Sequence, residues 1–351
     1  MKIRQIQNVM QQKKVELFLI MNLSEDKKDP NMRYFTGIMP EFGIMAIPKN
    51  GAGVLYVPLF EAERMKKMST AKIKPINKKK LLEQIKHDFK AKKIGLNYDY
   101  VAINDFKRLK KALKAKYFDF SKVICDLRIR KNKDEIKIIK KSCLIASKIL
   151  DKCIKQFGSF KTEGKVKEFL LNEAKLRGCE LAFDTIVASG NGAAQPHYSG
   201  NKRLTKGFCV IDFGVRYKGY CSDITRTVYI GNPSDDEIQT YDLVLETQKK
   251  CAEMIKEKVK TAKVYEFAQK QLGKYFTHGL GHGIGVQIHE LPNLSPKSKE
   301  RFEKGMIFTI EPGYYDSKKG IGIRIEDDYL INEKGEIEEI TKVDKKLLII
   351  K

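Results

Sequence analysis

The stretch VIDFGVRYKGYCSDITRTV, residues 210–228, decides how this chain folds. Two apolar-rich runs flank a short polar stretch, which reads as a β-hairpin turning near Tyr217-Lys218. In a symmetric two-residue hairpin, Asp212 then falls opposite Asp223, each five residues from the nearer turn residue. Directly opposed residues hold their Cβ atoms ~4.5–5.5 Å apart. Like charges opposed on a buried face destabilise it unless a cation sits between them. A metal ion would remove that conflict. Two solvent-facing aspartates are the ordinary alternative, but Ile211 and Phe213 could equally face a second packed layer.

Further along the chain come more oxygen donors. Glu311 ends the apolar run MIFTI (306–310) just before Pro312-Gly313, where a strand end would present its side chain to a cleft. Arg324 and Glu326 are two apart and share one strand face, leaving Ile323 and Ile325 to the other. A buried Glu326 needs Arg324, a metal or both. Between these runs lies THGLGHGIGVQIHE, residues 277–290. His278 and His282 have the spacing of a helical zinc motif, yet glycines at 279, 281, 283 and 285 oppose a helix. Neither HExxH nor GxGxxG is present. Glycines that let backbones approach closely, around imidazoles, suit a loop lining a reactive cleft. Four of the five histidines (His197, His278, His282 and His289) fall in the stretch 197–289.

Asp212, Asp223, His282, Glu311 and Glu326 together offer four carboxylates and one imidazole. That is too anionic for one zinc, whose catalytic sites use about three protein ligands. It suits two metals ~3.5–4 Å apart sharing bridging carboxylates. Oxygen-rich ligation favours Mn²⁺, with Co²⁺, Fe²⁺ and Zn²⁺ as alternatives.

Around this core the chain divides in two. Residues 1–122 alternate strand-like runs (15–21, 43–48 and 53–58) with helix-like ones (60–67 and 105–116), and hold no catalytic cluster. Their lone histidine, His87, reads as a surface residue. From 123 onward a long amphipathic helix runs through Ile136–Ile154 and a second covers Lys165–Arg177. Strands dominate 185–230, a helix returns over Asp235–Val259, and strands dominate again over 306–330. Two such passes suggest a pseudo-duplicated α+β layout.

With 351 residues and 42% hydrophobic content, the chain can bury a sizeable core, and disorder is excluded. The net charge is +24, of which +15 (27 basic, 12 acidic) lies before residue 123, in runs such as Lys78–Lys80 and Lys107–Lys116. The lysines lack interleaved aromatic or arginine motifs, which argues against nucleic acid and for a solvated surface. Seven cysteines without a CxxC oppose a disulfide framework or a thiolate zinc site. No stretch approaches the ~18–20 apolar residues of a membrane span, and the start MKIRQIQNVMQQKK has no apolar signal region. A cytoplasmic protein is expected.

The motifs IDFG (211–214), SDITRT (222–227), HGLGHGIG (278–285), TIEPG (309–313) and RIEDD (324–328), in this order, resemble the metal signature of the pita-bread metallopeptidases, family M24. The similarity is to their proline-specific branch of Xaa-Pro aminopeptidases and Xaa-Pro dipeptidases. NMRYFTGI (31–38) resembles part of a creatinase-type N-terminal domain, and DLRIRKNKDEIKIIKKS (126–142) the start of the catalytic domain. The resemblance implies an α+β protein: a creatinase-like α/β domain over 1–122 and a pita-bread catalytic domain over 123–351.

It also implies roles. Asp212 would chelate one of two divalent ions per subunit, Asp223 and Glu326 would bridge both, and His282 and Glu311 would complete the second. A metal-bridging hydroxide would attack the carbonyl before proline, with Glu311 as general base. His197 and His289 would steady substrate and intermediate, and His278 would stand at the cleft wall. Arg324 would pair with a ligand carboxylate, and Tyr315 would close the cleft or pack. The substrate would be a small peptide with proline second, and the enzyme a homodimer; aminopeptidase and dipeptidase remain equally open. A methionine aminopeptidase would lack the N-terminal domain. A pita-bread domain turned into a nucleic-acid- or protein-binding module through its basic N-terminal part would show an eroded ligand set, which this chain does not.

Overall fold

The computed structural model describes residues 2–24, 27–77 and 80–351, so Lys78 and Lys79 of the first basic run lie outside it. It divides into two compact units, Met1–Leu127 and Arg128–Lys351.

The first unit is a six-stranded sheet: β1 (Leu17–Asn22), β2 (Gly43–Pro48), β3 (Val54–Pro58), β4 (Lys72–Ile76), β5 (Lys93–Leu96) and β6 (Lys116–Asp119), in the order β4-β3-β2-β1-β5-β6. β1 is buried along its whole length, because its run LFLIMN is apolar on both faces, as a strand covered on two sides requires. Helices α1 (Lys2–Gln12), α2 (Asn31–Thr36), α3 (Leu59–Lys66), α4 (Leu81–Phe89) and α5 (Ile103–Leu113) accompany it, and α6 (Ser121–Arg128) leads out. The expected helix over 105–116 stops at Leu113, because Lys114 takes a left-handed conformation (φ 41°) and Lys116 already belongs to β6. Lys90 ends α4 in the same way (φ 47°). His87 is exposed, at 81%.

The second unit opens with α7 (Lys133–Lys155) and α8 (Glu163–Leu176). α7 starts at a capping box: the Asn132 side chain accepts from the Asp134 and Glu135 amides, and the Glu135 carboxylate accepts from the Asn132 amide. The first strand group follows: β7 (Glu180–Leu181), β8 (Ile186–Ser189), β9 (Gly207–Phe213), β10 (Val215–Tyr217), β11 (Tyr220–Cys221) and β12 (Ile224–Ile230). The expected single helix over 235–259 is two, α9 (Asp235–Met254) and α10 (Thr261–Leu272), with Lys258 in a left-handed conformation (φ 71°) between them. A second strand group closes the pass: β13 (Gly281–Gly283), β14 (Glu290–Leu294), β15 (Ile307–Ile310), β16 (Gly313–Asp316), β17 (Ile321–Arg324), β18 (Asp327–Ile331) and β19 (Ile337–Glu339). β20 (Ile349–Ile350) then joins β12 in parallel. The main sheets run β20-β12-β9-β8 and β14-β13-β15-β18-β19. Apolar residues of α7 and α8 pack under the first sheet, and those of α9 and α10 under the second. No helix of the described residues is long and apolar enough to cross a membrane.

The hairpin at 210–228 forms, but its register differs from the symmetric expectation. Tyr217 pairs with Tyr220, so the turn is Lys218-Gly219, one residue later than anticipated. Both turn residues are left-handed (φ 47° and 85°), as a two-residue turn matching strand twist demands, and glycine supplies one without a Cβ clash. Moving the turn by one shifts the pairing by two. Asp212 lies opposite Thr225, not Asp223. The even shift keeps both aspartates on one face, now as diagonal neighbours.

Candidate metal centre

The two main sheets of the second unit are joined by an isolated bridge between Thr225 and Glu326, where the Glu326 amide donates to the Thr225 carbonyl at 3.1 Å. Arg226 locks this junction. Its buried guanidinium donates to the Thr225 and Glu326 carbonyls (2.8 and 2.7 Å) and to Asp327 Oδ1 (2.7 Å). Asp212 and Asp223 from one sheet are thereby set facing Glu311 and Glu326 from the other. His282 comes from β13, whose register shifts between His282 and Gly283, a bulge of the kind that aims a side chain. Gly281 fits there because a methyl group would run into the Thr309 carbonyl. The expectation of glycines permitting close backbone approach in a loop lining the cleft applies to the irregular segments at Gly279 and Gly285, while Gly281 and Gly283 belong to the short strand β13 between them.

These side chains face one cavity of about 310 Å³. Its wall holds His197, Asp212, Asp223, His278, His282, His289, Glu311, Arg324 and Glu326, nine of the ten residues singled out in the sequence. The tenth, Tyr315, stands behind the wall: its hydroxyl accepts from Arg324 Nη1 at 2.8 Å and lies 3.1 Å from His278 Nε2. His278 Nδ1 faces the Gly279 carbonyl at 2.7 Å, which fixes the proton there and leaves Nε2 to accept from Tyr315. Arg324 continues the chain to Asp212 Oδ2 at 2.6 Å.

Ligand-type atoms of Asp223, His282 and Glu326 all lie within 4.8 Å of one another. His282 Nε2 is 3.4 Å from Glu311 Oε1 and 3.7 Å from Asp223 Oδ2. Its Nδ1 faces the Gly283 carbonyl at 3.2 Å, so the free lone pair is on Nε2, directed at the carboxylates. Burial pulls the His282 imidazole down to about 3, with His289 beside it acting the same way, so it stands neutral. Burial likewise pushes the Asp223 and Glu326 carboxyls well above their ordinary range, and neighbouring carboxylates add to it. Glu311 rises to about 7, chiefly through burial, with Arg324 opposing. Asp212 Oδ1 and Asp223 Oδ1 are buried and have no hydrogen-bond partner. Orphaned carboxylate oxygens beside a neutral imidazole are what a site for divalent cations presents, so the residues fit such ions.

Some contributors escaped the sequence reading. Thr225 donates to Glu326 Oε2 at 2.6 Å, and Thr309 lies 3.3 Å from Glu311 Oε1. Each is two residues from a proposed ligand (Asp223 and Glu311), on the same strand face, a spacing that could have flagged them. Asp328 accepts from the Asp223 amide at 2.9 Å. Phe183, Ile186, Pro196 and Ile288 form an apolar wall with no signal in their local sequence.

Residues 137–333 match the model of metallopeptidase family M24, and residues 2–130 that of the creatinase/prolidase N-terminal domain. The chain is 38% identical to an Xaa-Pro dipeptidase of Pyrococcus furiosus over 92% of its own length and 93% of the relative's. Its fold matches the crystal structure of the prolidase from Pyrococcus horikoshii OT3 with a TM-score of 0.90 at 34% identity, covering 99% of both chains. It also matches the X-Pro aminopeptidase from Thermotoga maritima MSB8 with a TM-score of 0.89 at 30% identity, over 96% of this chain and 98% of that one.

Proposed function

Since the chain belongs to metallopeptidase family M24, with a creatinase/prolidase N-terminal domain ahead of its catalytic part, we propose that it hydrolyses the Xaa-Pro bond at the free N-terminus of small peptides. The observation that carries this reading is the cavity where four carboxylates and His282 converge, two of their oxygens unpaired, opposite an apolar wall. Asp212, Asp223, His282, Glu311 and Glu326 would hold two divalent ions, and the oxygen-rich set favours Mn²⁺. When bound, such ions activate water at neutral pH and polarise a carbonyl oxygen.

The chain's own groups do the rest. Glu311 takes the proton of the attacking water and returns it to the proline nitrogen as the bond breaks. Its side chain is held for this by Thr309. His197 and His289 stand around the cavity to donate to substrate oxygens, His278 forms part of its wall, and Arg324 keeps Asp212 in place. Phe183, Ile186, Pro196 and Ile288 supply an apolar surface for the proline ring and keep water from it.

The seven free cysteines support a reducing, cytoplasmic setting. The binding-module alternative finds no support, because all five ligand positions carry ligand-type residues facing one cavity.

The test is hydrolysis of Ala-Pro and Ala-Pro-Ala by protein stripped of metal and reloaded with Mn²⁺, beside Asp223→Asn. Cleavage of both peptides marks an aminopeptidase and cleavage of the dipeptide alone a dipeptidase, with the variant inactive in either case. No cleavage with Mn²⁺, Co²⁺, Fe²⁺ or Zn²⁺ overturns the reading.

A further inference from the structure

Glu290 directly follows His289, and its side chain is buried (4% exposed) against two cations. Arg128 Nη2 donates to Glu290 Oε1 at 2.5 Å and to Gln287 Oε1 at 2.6 Å. Lys131 Nζ stands 3.4 Å from Glu290 Oε2, and both cationic side chains are buried, at 4% and 2% exposure. The Gln287 amide donates to Glu290 Oε1 at 3.0 Å, which folds the stretch back on itself. The residues from 284 to 289 form no regular secondary structure. Yet His289, within them, faces the cavity with its ring centroid 4.3 Å from that of His282, at 80°.

The cations stand on fixed ground. The Lys131 amide donates to the Gly305 carbonyl at 2.8 Å, and Arg130 bridges to Met306 at the entry to β15. Burying three charges under an irregular loop carries a large desolvation penalty, so such a cluster is weak evidence of stability. What it does supply is location: a carboxylate satisfied from two sides has one place to be. We propose that Arg128 and Lys131 are positioning residues for hydrolysis, holding His289 at the cleft wall through Glu290. The inference rests on the peptidase reading above, and neither cation touches the cavity.

A double-mutant cycle tests it on the metal-loaded full chain with Ala-Pro. Arg128→Lys, Lys131→Met and Glu290→Gln are measured alone and together with His289→Ala. Each single variant lowers kcat/KM by roughly 10- to 100-fold, the scale of a misplaced catalytic group. In the His289→Ala background the same changes cost less than about twofold, because the group they position is gone. Losses that multiply in that background, or single variants with unchanged kcat/KM, overturn the proposal. If Lys131→Met does not fold, Lys131→Gln, which keeps a donor and removes the charge, takes its place and is read by the same criterion.

A second measurement does not depend on turnover. On the Zn²⁺-loaded protein, which is diamagnetic, the His289 ring resonances, identified by their absence from His289→Ala, are expected as one sharp set that shifts and broadens in Glu290→Gln. Unchanged resonances overturn the clamp even where the peptide is cut. Native protein that cuts no Xaa-Pro peptide, with His289 resonances that still respond, overturns the peptidase reading alone.

Discussion

The Tyr315 hydroxyl lies 2.8 Å from Arg324 Nη1, and the same guanidinium reaches Asp212 Oδ2 at 2.6 Å with Nη2. One arginine therefore ties a proposed metal ligand to a tyrosine outside the cavity. Tyr315→Phe removes the acceptor and leaves a buried donor unpaired, a cost of about 1–3 kcal/mol. The expected result is an earlier urea midpoint and a kcat reduced about tenfold on Ala-Pro, with binding of Mn²⁺ retained. Wild-type kinetics would show that the arginine holds Asp212 without help.

Thr225 donates to Glu326 Oε2 at 2.6 Å. Thr225→Val keeps the shape and deletes that donor. Removing a group that orients a ligand costs about 10- to 100-fold in metal affinity. Titration of the stripped protein with Mn²⁺, read by calorimetry, should show that weakening while the fold stays intact by circular dichroism. Native affinity in the variant would refute the orienting role.

Lys90 and Lys114 end their helices at φ 47° and 41°. A side chain pays about 1–2 kcal/mol in the left-handed region, and glycine escapes most of it. Lys90→Gly and Lys114→Gly should each stabilise the first unit by roughly 0.5–1 kcal/mol after the entropy cost of glycine. Thermal melts of the two variants check this, and a lower Tm in both would contradict it.

Asp88 is held below its ordinary carboxylate range: burial alone pushes it up, but hydrogen bonds from Lys74, Tyr56 and Gln84 outweigh that. A depressed native pKa gives stability present above the unfolded value of 3.8 and lost as pH falls through the lower native value. Asp88→Asn should therefore lower stability at pH 6, with the gap to wild type narrowing below about pH 4. Urea midpoints at pH 3, 4 and 6 measure it; a gap that does not depend on pH would place the effect elsewhere.

Much of the second unit was legible because its chemistry-bearing residues are locally marked: Glu311 before Pro312-Gly313, and Arg324 and Glu326 two apart on one strand. The pairing of Asp212 was not, since it hinges on which residues occupy the turn. Only Gly219 announces a left-handed backbone there; Lys218, which shares it, does not. The break between α9 and α10 was hidden for the same reason. It falls in the lysine-rich stretch 256–260, where Lys258 takes the left-handed conformation and neither glycine nor proline marks the end. The apolar wall was illegible in a different way. Phe183 and Ile288 are far apart in the chain, and only the tertiary fold brings them to one cavity.

The hairpin turn at Lys218-Gly219 also limits how the protein can diverge. Side-chain direction alternates with each residue, so a change at that turn that slips the pairing by one residue reverses the faces of one strand. Asp212 or Asp223 would then point to the opposite face unless a bulge absorbs the change. Length variation at this turn therefore preserves the metal centre only where a longer loop keeps Tyr217 paired with Tyr220, or where the pairing moves by an even number of residues.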